Sequence, residues 1–351
     1  MELGYVVMSM EDGGAFPLFG RALMRSGRFA CTVLLVSIAL LAQQAQWRDA
    51  SPHTVQFVTV EKDLRLEVLD WGGSGLPVVL LAGGGDTAHV FDNFAPKLTD
   101  RFHVYAITRR GFGESGFSAE NYGPDRLGDD VLAVMDALKI SKAVLVGHSI
   151  AGEELSSVAN RHPERVAGLV YLEAAYPYAF DNGKGPTLQQ IQEISEPQPP
   201  PPGEVDLANF NALQQYYLRV LGFTYPEEEL RQRWRSSPEG RVTKERDFPG
   251  YATILSGMKK YTAIPVRVLA IFAIPHSLGK WVDGSTDPKV REAAKAYTAA
   301  LTPLTESQMW AFENGVPTAL VIRLPHSHHY IYLSNETDVL REMRAFLVGL
   351  H

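Results

Sequence analysis

The feature that most constrains the fold is a series of short apolar runs, several of which end in glycine. The runs cover residues 78–81, 103–108, 143–146, 169–172, 266–271 and 319–324. Strands that are apolar without alternation are typical of a parallel sheet that helices cover on both faces. In residues 55–60 and 64–70 apolar and polar side chains alternate instead, which predicts two further strands joined by a turn. The sequence therefore predicts an α/β fold with a mostly parallel central sheet.

Helical segments separate the strands, and one long stretch interrupts their alternation. Residues 127–138 and 337–347 carry apolar side chains at helical spacing. In the interrupting stretch, the prolines at 197–203 predict an exposed turn or polyproline segment, and aromatic-rich helical segments follow at 207–221 and 226–234. We therefore predict a core of residues 46–176 and 263–351, and a helical cap insertion of residues 177–262 over the strand ends where α/β sheets bind ligands.

Composition excludes several classes of protein. The chain has 351 residues, is 45% hydrophobic and carries a formal net charge of -7. This balance argues against disorder and against nucleic-acid binding, which needs a basic surface. The single cysteine excludes a disulfide framework and any zinc site built on cysteines. We expect a globular enzyme with a small-molecule substrate and no cofactor or metal; the sequence predicts no oligomeric state.

Residues 1–45 are predicted to be a leader that resembles a secretory signal peptide. An uncharged run at 29–41 follows three basic residues, Arg21, Arg25 and Arg28. This run is shorter than the roughly 20 residues of a membrane-spanning helix. We expect cleavage between about Ala42 and Ser51, and hence a secreted or periplasmic protein without a stable membrane span. An uncleaved N-terminal membrane anchor is the alternative.

The chemistry centres on the segment Gly147-His-Ser149-Ile-Ala-Gly152, which follows an apolar strand and precedes a helix. A serine in a sharp strand-to-helix turn needs small neighbours, because its backbone is strained and closely packed. Its hydroxyl then stands free at the sheet edge, where the N-terminus of the next helix favours developing negative charge. Ser149 is therefore the predicted nucleophile. Ala151 stands where the usual pattern has a glycine.

Four segments in this order resemble the α/β-hydrolase superfamily. They are Leu80-Leu-Ala-Gly-Gly84, Arg110-Gly-Phe-Gly-Glu-Ser115, Gly147-His-Ser-Ile-Ala-Gly152 and His329-Tyr-Ile-Tyr-Leu333. The resemblance extends from residue 55 to the C-terminus. It implies the α/β-hydrolase fold and a nucleophile, an acid and a histidine in that chain order. The superfamily includes esterases, lipases, peptidases, epoxide hydrolases, dehalogenases and some lyases, so the fold alone does not identify the substrate.

The resemblance implies a catalytic histidine after the last strand, where three histidines lie close together. His329 is the predicted base, because the aromatic-rich segment that follows it is similar to the one after the family's catalytic histidine. It also lies directly between the last predicted strand and the final helix. His326 and His328 are expected to pack or form hydrogen bonds within the loop. A zinc site made of all three histidines is the competing interpretation, but no acidic or cysteine ligand accompanies them.

The acid is predicted at an unusual place. In most relatives it follows the strand at 266–271, but this chain has no carboxylate there and carries Ser277 where an aspartate is expected. Glu173 ends the preceding strand, and here the chain resembles some haloalkane dehalogenases, whose acid lies at this alternative position. A glutamate at the end of an apolar strand would otherwise be costly to bury. We therefore predict that Glu173 orients His329, with Asp283 or Asp287 as alternatives.

The oxyanion hole is expected to combine the backbone N–H of Ile150 with one from the glycine loop at 83–85. Aligning Ala82 with the family's usual histidine makes Gly84 the predicted donor, since glycine lets the backbone approach a substrate oxygen. A phosphate-binding loop is disfavoured, because neither a P-loop lysine nor a dinucleotide-binding fingerprint follows. The segment 109–115 is expected to organise its turn. Three further residues are expected either to line the pocket or to begin the next helix: Asp86, His89 and Phe91.

Two classes of function are compatible with these residues. The first is a serine hydrolase of carboxylesterase type, which cleaves a small-molecule ester, or less readily an amide, through an acyl-enzyme. The second is a non-hydrolytic protein of the same fold, such as a lyase or a binding protein. The set of Ser149, Glu173 and His329 favours the first. Dehalogenation and epoxide hydrolysis by the usual alkyl-enzyme route are disfavoured, because they need a carboxylate where Ser149 stands.

Overall fold

The predicted apolar runs form the strands of one central sheet. The structure, a computed structural model, describes residues 47–248, 250, 253–254, 257 and 259–350, so the predicted leader lies outside the described residues. The described strands are β1 Thr54–Glu61, β2 Leu64–Gly72, β3 Pro77–Leu81, β4 His103–Ile107, β5 Ala143–His148, β6 Val166–Leu172, β7 Trp234–Ser236, β8 Val242–Glu245, β9 Val268–Ala273 and β10 Ala319–Leu324. Eight of them form the sheet in the order β1-β2-β4-β3-β5-β6-β9-β10.

Most neighbouring strands of the sheet run parallel. The exceptions are β1 against β2 and β2 against β4, which are antiparallel because β1 and β2 form the predicted N-terminal hairpin. All pairs from β3 to β10 are parallel. The described helices are α1 Pro124–Ala137, α2 Gly152–Arg161, α3 Leu188–Gln192, α4 Phe210–Val220, α5 Glu227–Arg233, α6 Lys280–Asp283, α7 Pro288–Gly315, α8 Ile331–Ser334 and α9 Glu336–Val348.

Alternate residues of the buried strands point into two separate cores. Val78 and Leu80 of β3 belong to one core, together with Met343 of α9. Val79 of β3 belongs to the other, together with Phe312 of α7. Because successive side chains of a strand point to opposite faces, a strand that is apolar throughout needs cover on both. Helices lie on both faces of the sheet, and the predicted fold class is confirmed.

The segment between β6 and β9 differs in part from the prediction. Helices α3, α4 and α5 occur there, but β7 and β8 form an antiparallel pair where only helices were expected. Trp234, predicted to end a helix, begins β7 and pairs with Glu245. Arg233, the last residue of α5, binds Glu245 of β8 at 2.8 Å, so tertiary contacts end the helix one residue early. The sequence analysis also did not single out the 28-residue helix α7.

The register of the sheet brings four chain segments to one edge. His148 at the end of β5 is level with Leu172 at the end of β6, and Leu172 is level with Ile271 of β9. The residues that follow these strands therefore meet where parallel α/β sheets place their ligand sites. The loop after β10, the next strand, reaches the same edge. In the described part of the chain no helix is both long and apolar enough to cross a membrane.

Candidate active site

Ser149 lies in a strained turn directly after β5. Its φ is +52°, a left-handed conformation that residues other than glycine rarely adopt. The turn packs closely on the chain after β6, because a Cβ on Gly152 would lie 2.0 Å from the backbone oxygen of Ala174. Gly152 is therefore the glycine that this elbow requires, and the glycine of the usual pattern at Ala151 is dispensable. Backbone strain of this kind is concentrated at functional sites.

Glu173 follows β6 directly and also has a positive φ, +51°. Its side chain is completely buried. One carboxylate oxygen, Oε1, accepts a hydrogen bond of 2.5 Å from the backbone N–H of Ala273. The other, Oε2, accepts one of 3.3 Å from Nδ1 of His329 and one of 3.1 Å from the hydroxyl of Tyr176. The structure thus brings the predicted acid and the predicted base into contact.

His276 is a member of this cluster that the sequence analysis missed. It lies in the loop after β9, and its Nε2 donates a hydrogen bond of 2.6 Å to Oε2 of Glu173. Most relatives carry their acid in this loop, so a histidine in place of that carboxylate was the only sign in the sequence that His276 belongs to the site. Glu173, which follows the neighbouring strand β6, faces two imidazoles, those of His276 and His329. That the two histidines share this carboxylate can be recognised only once the strand order is known.

The charges of this cluster are strongly coupled. Burial alone would raise the pKa of Glu173, but the charge of His276 and the hydrogen bonds from His276 and His329 lower it to about 2. Burial would likewise lower the pKa of His276, and Glu173 raises it above its usual range. Glu173 is therefore ionised at neutral pH. An ionised carboxylate at Nδ1 is what a histidine base needs to hold its tautomer and stabilise its protonated form.

The alternative acids lie elsewhere. Asp283 is exposed at the end of α6, and Asp287 caps α7 by accepting a hydrogen bond of 2.8 Å from the backbone of Lys289. Ser277, at the expected acid position, donates its backbone N–H to the carbonyl oxygen of Ser327 at 2.8 Å. Among the described residues, the carboxylate that accepts a hydrogen bond from His329 is that of Glu173.

The three neighbouring histidines do not converge on one point. His326 is exposed, while His328 packs against Phe223 and accepts a hydrogen bond from the backbone of Tyr330. Burial and the neighbouring charge of His329 lower the pKa of His328 to about 3, so it is neutral. The metal-ligating atoms that do lie within 4.8 Å of one another here are those of Glu173, His276 and His329.

His148, which precedes the predicted nucleophile, ties it to the histidine loop. Its ring is buried, and its Nε2 donates a hydrogen bond of 3.1 Å to the backbone oxygen of His329. Burial and the charge of His329 lower its pKa well below the usual range, so the ring is neutral. His148 occupies the variable position before Ser149 in the elbow motif, and its hydrogen bond thus fixes the backbone of His329, the predicted base.

Arg109 holds the glycine loop in which an oxyanion donor was predicted. Its guanidinium donates to the backbone oxygens of Ala82 and Gly83 at 2.9 and 3.2 Å, and Glu154 of α2 anchors it at 2.5 Å. Gly84 follows directly and is half-buried, and Ile150 follows Ser149. Arg109 therefore organises the glycine loop as well as its own turn.

Helix α5 holds the same loop from its other end. Glu229 accepts hydrogen bonds from the backbone N–H and the hydroxyl of Thr87, at 3.2 and 2.5 Å. Arg233 binds Asp86 at 3.2 Å, and the hydroxyl of Tyr330 donates to the same carboxylate at 3.3 Å. Burial, with the nearby charge of Asp86, raises the pKa of Glu229 to about 8. The segment between β6 and β9 thus contributes directly to the shape of the glycine loop.

Ser149 and His329 line one cavity of about 280 Å³. Its wall is mostly apolar and aromatic, with side chains from the loops after β6 and β9 and from α3 and α7; examples are Tyr176, Ile191, Leu278 and Leu301. Among the described residues that line it there is no lysine or arginine, and the one carboxylate is that of Glu196. Asp86, His89 and Phe91 are not among these lining residues.

Comparisons with known proteins agree with this architecture. Residues 77–336 match the family described as the alpha/beta hydrolase fold. A putative carbamate hydrolase, RutD, of Caulobacter segnis is 36% identical over 218 residues, which are 60% of this chain and 74% of that protein. The dihydrolipoyllysine-residue acetyltransferase component of the acetoin cleaving system of Pseudomonas putida is 39% identical over 105 residues, so that this chain spans 28% of its length.

Among solved structures, that of carboxylesterase CesB (YbfK) from Bacillus subtilis superposes with a TM-score of 0.54 at 16% identity. The superposition covers 91% of this chain and 98% of the other. At this identity the likeness concerns the fold.

Proposed function

The chain belongs to the α/β-hydrolase family, and we propose that it is a serine hydrolase that cleaves carboxylic esters of neutral, apolar small molecules. The observation that carries the proposal is the strained turn at Ser149 beside the hydrogen bond between Glu173 and His329. Both Ser149 and His329 line the same cavity. A nucleophile, a base and a group that orients the base form the arrangement that acyl transfer requires.

The proposed reaction proceeds through an acyl-enzyme. The Oγ atom of Ser149 attacks the ester carbonyl carbon while Nε2 of His329 takes its proton. Glu173 keeps the Nδ1–H of His329 in place and stabilises the imidazolium. The proton then passes from His329 to the departing alcohol. Water, deprotonated by His329, next attacks the acyl carbonyl carbon. The bond from this carbon to Oγ of Ser149 then breaks, His329 returns the proton to Oγ, and the acid leaves.

Stabilisation of the tetrahedral intermediate is assigned to two backbone N–H groups, those of Ile150 and Gly84. Ile150 lies in the 3₁₀ turn Ser149–Ala151 that leads into α2, where the helix N-terminus favours negative charge. Gly84 lies in the loop that Arg109 holds through the two carbonyl groups before it. Fixed donors directed at a developing oxyanion are commonly the largest single contribution to catalysis of this kind.

The cavity favours a neutral and apolar substrate. Its wall is mostly aliphatic and aromatic, and the described lining residues include the carboxylate Glu196 but no lysine or arginine, while His276 is already paired with Glu173. A substrate carboxylate would therefore lose its hydration without gaining an unpaired positive charge, which is costly. Because one relative is a putative carbamate hydrolase, comparing the hydrolysis of carbamates with that of esters tests the preference for esters most directly.

The nucleophile can be tested by labelling. A fluorophosphonate probe should add its mass to the peptide that contains Ser149, and Ser149→Ala should abolish both labelling and the release of p-nitrophenol from a short-chain ester. Ser236→Ala, at an exposed serine of β7, is the matched control and should behave as the unmodified chain. A folded chain that hydrolyses no ester and takes no label would favour the lyase or binding protein.

The substrate class can be tested with matched compounds. We expect kcat/KM for a neutral butyrate ester to exceed that for the monoester of a dicarboxylic acid by at least about tenfold, or about 1.4 kcal/mol. A higher kcat/KM for a carbamate with the same leaving group would replace the ester proposal by a carbamate one, with Ser149 still the nucleophile.

We also propose export to the periplasm or the exterior, supported by the basic and apolar pattern of the first 45 residues. Mass spectrometry of the exported protein should find an N-terminus between about residues 42 and 51. An intact N-terminus at Met1 or Met24 in that material would contradict cleavage and favour the anchor.

A further inference from the structure

A second cluster of histidines and carboxylates lies outside the cavity of Ser149. Asp49 and His53 precede β1, His89 lies in the 3₁₀ turn Ala88–Phe91 that follows the glycine loop, and Asp92 comes directly after that turn. None of the four is among the described residues that line the cavity. Each offers one ligand atom, and all four atoms lie within 4.8 Å of one another. We call these four residues the Asp49 cluster.

The distances within the Asp49 cluster are short on every side. Oδ2 of Asp49 lies 3.3 Å from Nε2 of His53 and 3.5 Å from Nδ1 of His89. Asp92 lies on the opposite side, with Oδ1 3.0 Å from Nδ1 of His53 and Oδ2 3.1 Å from Nδ1 of His89. Ligands about 2.0–2.1 Å from a tetrahedral zinc ion lie about 3.3–3.4 Å apart. One ligand atom from each residue lies within 4.8 Å of the other three, and the carboxylate–imidazole contacts of 3.0–3.5 Å are of this size. Because each ring nitrogen of His53 faces a different aspartate, one nitrogen would bind the ion and the other would stay with its carboxylate.

Several of these atoms are buried without a hydrogen-bond partner among the described residues. They are Oδ2 of Asp49, Nδ1 of His53 and Oδ1 of Asp92. The side chains of His53 and Asp92 are 4% and 3% exposed. Although the His53 and Asp92 atoms are 3.0 Å apart, they do not form a hydrogen bond with each other. Buried polar atoms that face a common point without bonding one another are expensive unless something else binds them.

The outer contacts orient the ligands in the way that metal sites require. His89 turns Nδ1 toward the two aspartates, and its Nε2 lies 3.5 Å from Oε1 of Glu67, whose other oxygen accepts a 2.7 Å hydrogen bond from Thr108. The backbone N–H of Ser51 donates to Oδ1 of Asp49 at 2.9 Å, which leaves Oδ2 for the cluster. A carboxylate behind a ligating histidine is the usual second layer of such sites.

We propose that Asp49, His53, His89 and Asp92 bind a divalent transition-metal ion, for which Zn²⁺ is the best chemical match. Two imidazoles and two carboxylates suit zinc, whereas calcium and magnesium prefer oxygen ligands alone. Four protein ligands leave no open position for a substrate, which is typical of structural sites. The ion would join the chain before β1 to the segment after β3, two parts far apart in sequence.

The charge of the surroundings supports a cation here. Three carboxylates, those of Asp49, Glu67 and Asp92, lie within 3.5 Å of the ring nitrogens of His89. A proton on His89 is therefore the competitor of the metal: it would neutralise the same carboxylates through ion pairs and leave the cluster without any metal affinity. The protonated cluster and the metal-bound cluster differ in metal content, which can be measured.

The experiment measures bound zinc. The full chain is stripped with a chelator, incubated with excess ZnCl₂, passed through gel filtration and analysed by mass spectrometry of its elements. We expect one zinc ion per chain, and less than a tenth of that for His53→Ala and for the nearly isosteric Asp92→Asn. His103→Ala is the matched control, because His103 forms a single 2.9 Å pair with Asp70 outside the cluster. It should keep its zinc.

A fourth variant separates the two possible metal sites. His276→Ala removes a member of the Glu173 cluster and should leave zinc unchanged; zinc lost in this variant and kept in His53→Ala would overturn the proposal. X-ray absorption of the zinc-loaded unmodified chain should show two imidazole ligands and no other nitrogen or sulfur, a readout that needs no variant to fold. Absence of bound zinc, with no binding when ZnCl₂ is titrated into the stripped chain, would establish the protonated ion-pair cluster instead.

Discussion

Two histidine clusters of this molecule differ in the number of carboxylates around an imidazole. At the cavity, one carboxylate, Glu173, serves two imidazoles, those of His276 and His329. In the Asp49 cluster, His89 faces both aspartates and also Glu67, which lies behind the cluster. The side chain of His329 is 40% exposed, whereas that of His89 is 4% exposed.

The number of carboxylates around a histidine and the exposure of its side chain together determine whether it can exchange a proton during catalysis. Several negatively charged groups hold the cation at His89, whether a proton or a metal ion, so that imidazole cannot exchange a proton during a reaction near neutral pH. His329 has a single, shared carboxylate and an open side toward the cavity, which suits a group that takes up and returns a proton. The number of carboxylates around an imidazole thus distinguishes a proposed proton carrier from a proposed metal ligand.

The largest effect is expected from removing the proposed base. His329→Ala should lower kcat/KM for an ester by about 10⁴-fold, close to 5.5 kcal/mol, because Ser149 then loses its proton acceptor. His276→Ala is the matched change on the other imidazole of Glu173. It should stay within about tenfold of the unmodified chain, since this imidazole shares the carboxylate but is given no proton-transfer role. Steady-state kinetics with one ester measures both.

Equal losses in the two histidine variants would place His276 in the catalytic machinery as well. A large loss in His276→Ala alone would assign the proton transfer to His276 and remove it from His329.

Glu173→Gln should have the next largest effect, a loss of about 10² to 10⁴ in kcat. The amide keeps the shape of the carboxylate but no longer stabilises a protonated His329. Asp283→Asn and Asp287→Asn, at the alternative positions, should keep most of the activity. Circular dichroism must show that each variant is folded. A folded and nearly fully active Glu173→Gln, together with an inactive aspartate variant, would move the acid to the later loop.

The same carboxylate should contribute to stability in a defined pH range. Its pKa falls from an ordinary 4.5 to about 2 on folding, so the contribution is present above pH 4.5 and lost as the pH falls through about 2. A shift of this size corresponds to roughly 3 kcal/mol. Urea unfolding should show that the stability difference between the unmodified chain and Glu173→Gln shrinks between pH 5 and pH 3. A constant difference would contradict the lowered pKa.

The strands and the elbow were predictable because their signals are local. Apolar runs with glycine exits mark buried strands wherever they occur, and the prediction of the sheet is confirmed. Likewise, the small neighbours of Ser149 predict a strained turn, and its φ of +52° agrees. The interpretation of Glu173 as the acid needed the chain order of a family as well as the local pattern.

The remaining features depend on contacts between distant segments. Glu173 and His276 are 103 residues apart and Thr87 and Glu229 are 142 apart, so no periodicity or motif connects them. Trp234 begins a strand because the residue before it binds Asp86 and Glu245, which the sequence of α5 does not reveal. His89 was predicted only to line the pocket or begin a helix, because its carboxylates come from three separate segments.

A smaller effect is expected from helix α5, through the loop of the proposed oxyanion donor. Glu229→Ala removes the acceptor of the contacts to Thr87 and should lower kcat by about tenfold with little change in KM, because the loop's N–H groups lose their position. Glu227→Ala is the matched control, since Glu227 binds Arg231 within the same helix at 2.5 Å. A change in KM alone would indicate that Glu229 shapes substrate binding and has no part in holding the oxyanion donor.

The smallest catalytic effect is expected at the Asp49 cluster. His53→Ala should leave kcat/KM within about twofold, because the cluster does not belong to the described wall of the cavity and a closed four-ligand site has no position for substrate.

The melting temperature should instead respond to zinc. Zinc should raise the melting temperature of the unmodified chain by about 5 °C and leave that of His53→Ala unchanged, since a ligand that binds only the folded state stabilises it. His103→Ala should respond to zinc as the unmodified chain does. If His53→Ala abolished ester hydrolysis while keeping its fold, the two clusters would act on one reaction, and the distinction between proton carrier and metal ligand drawn from their carboxylate ratios would fail.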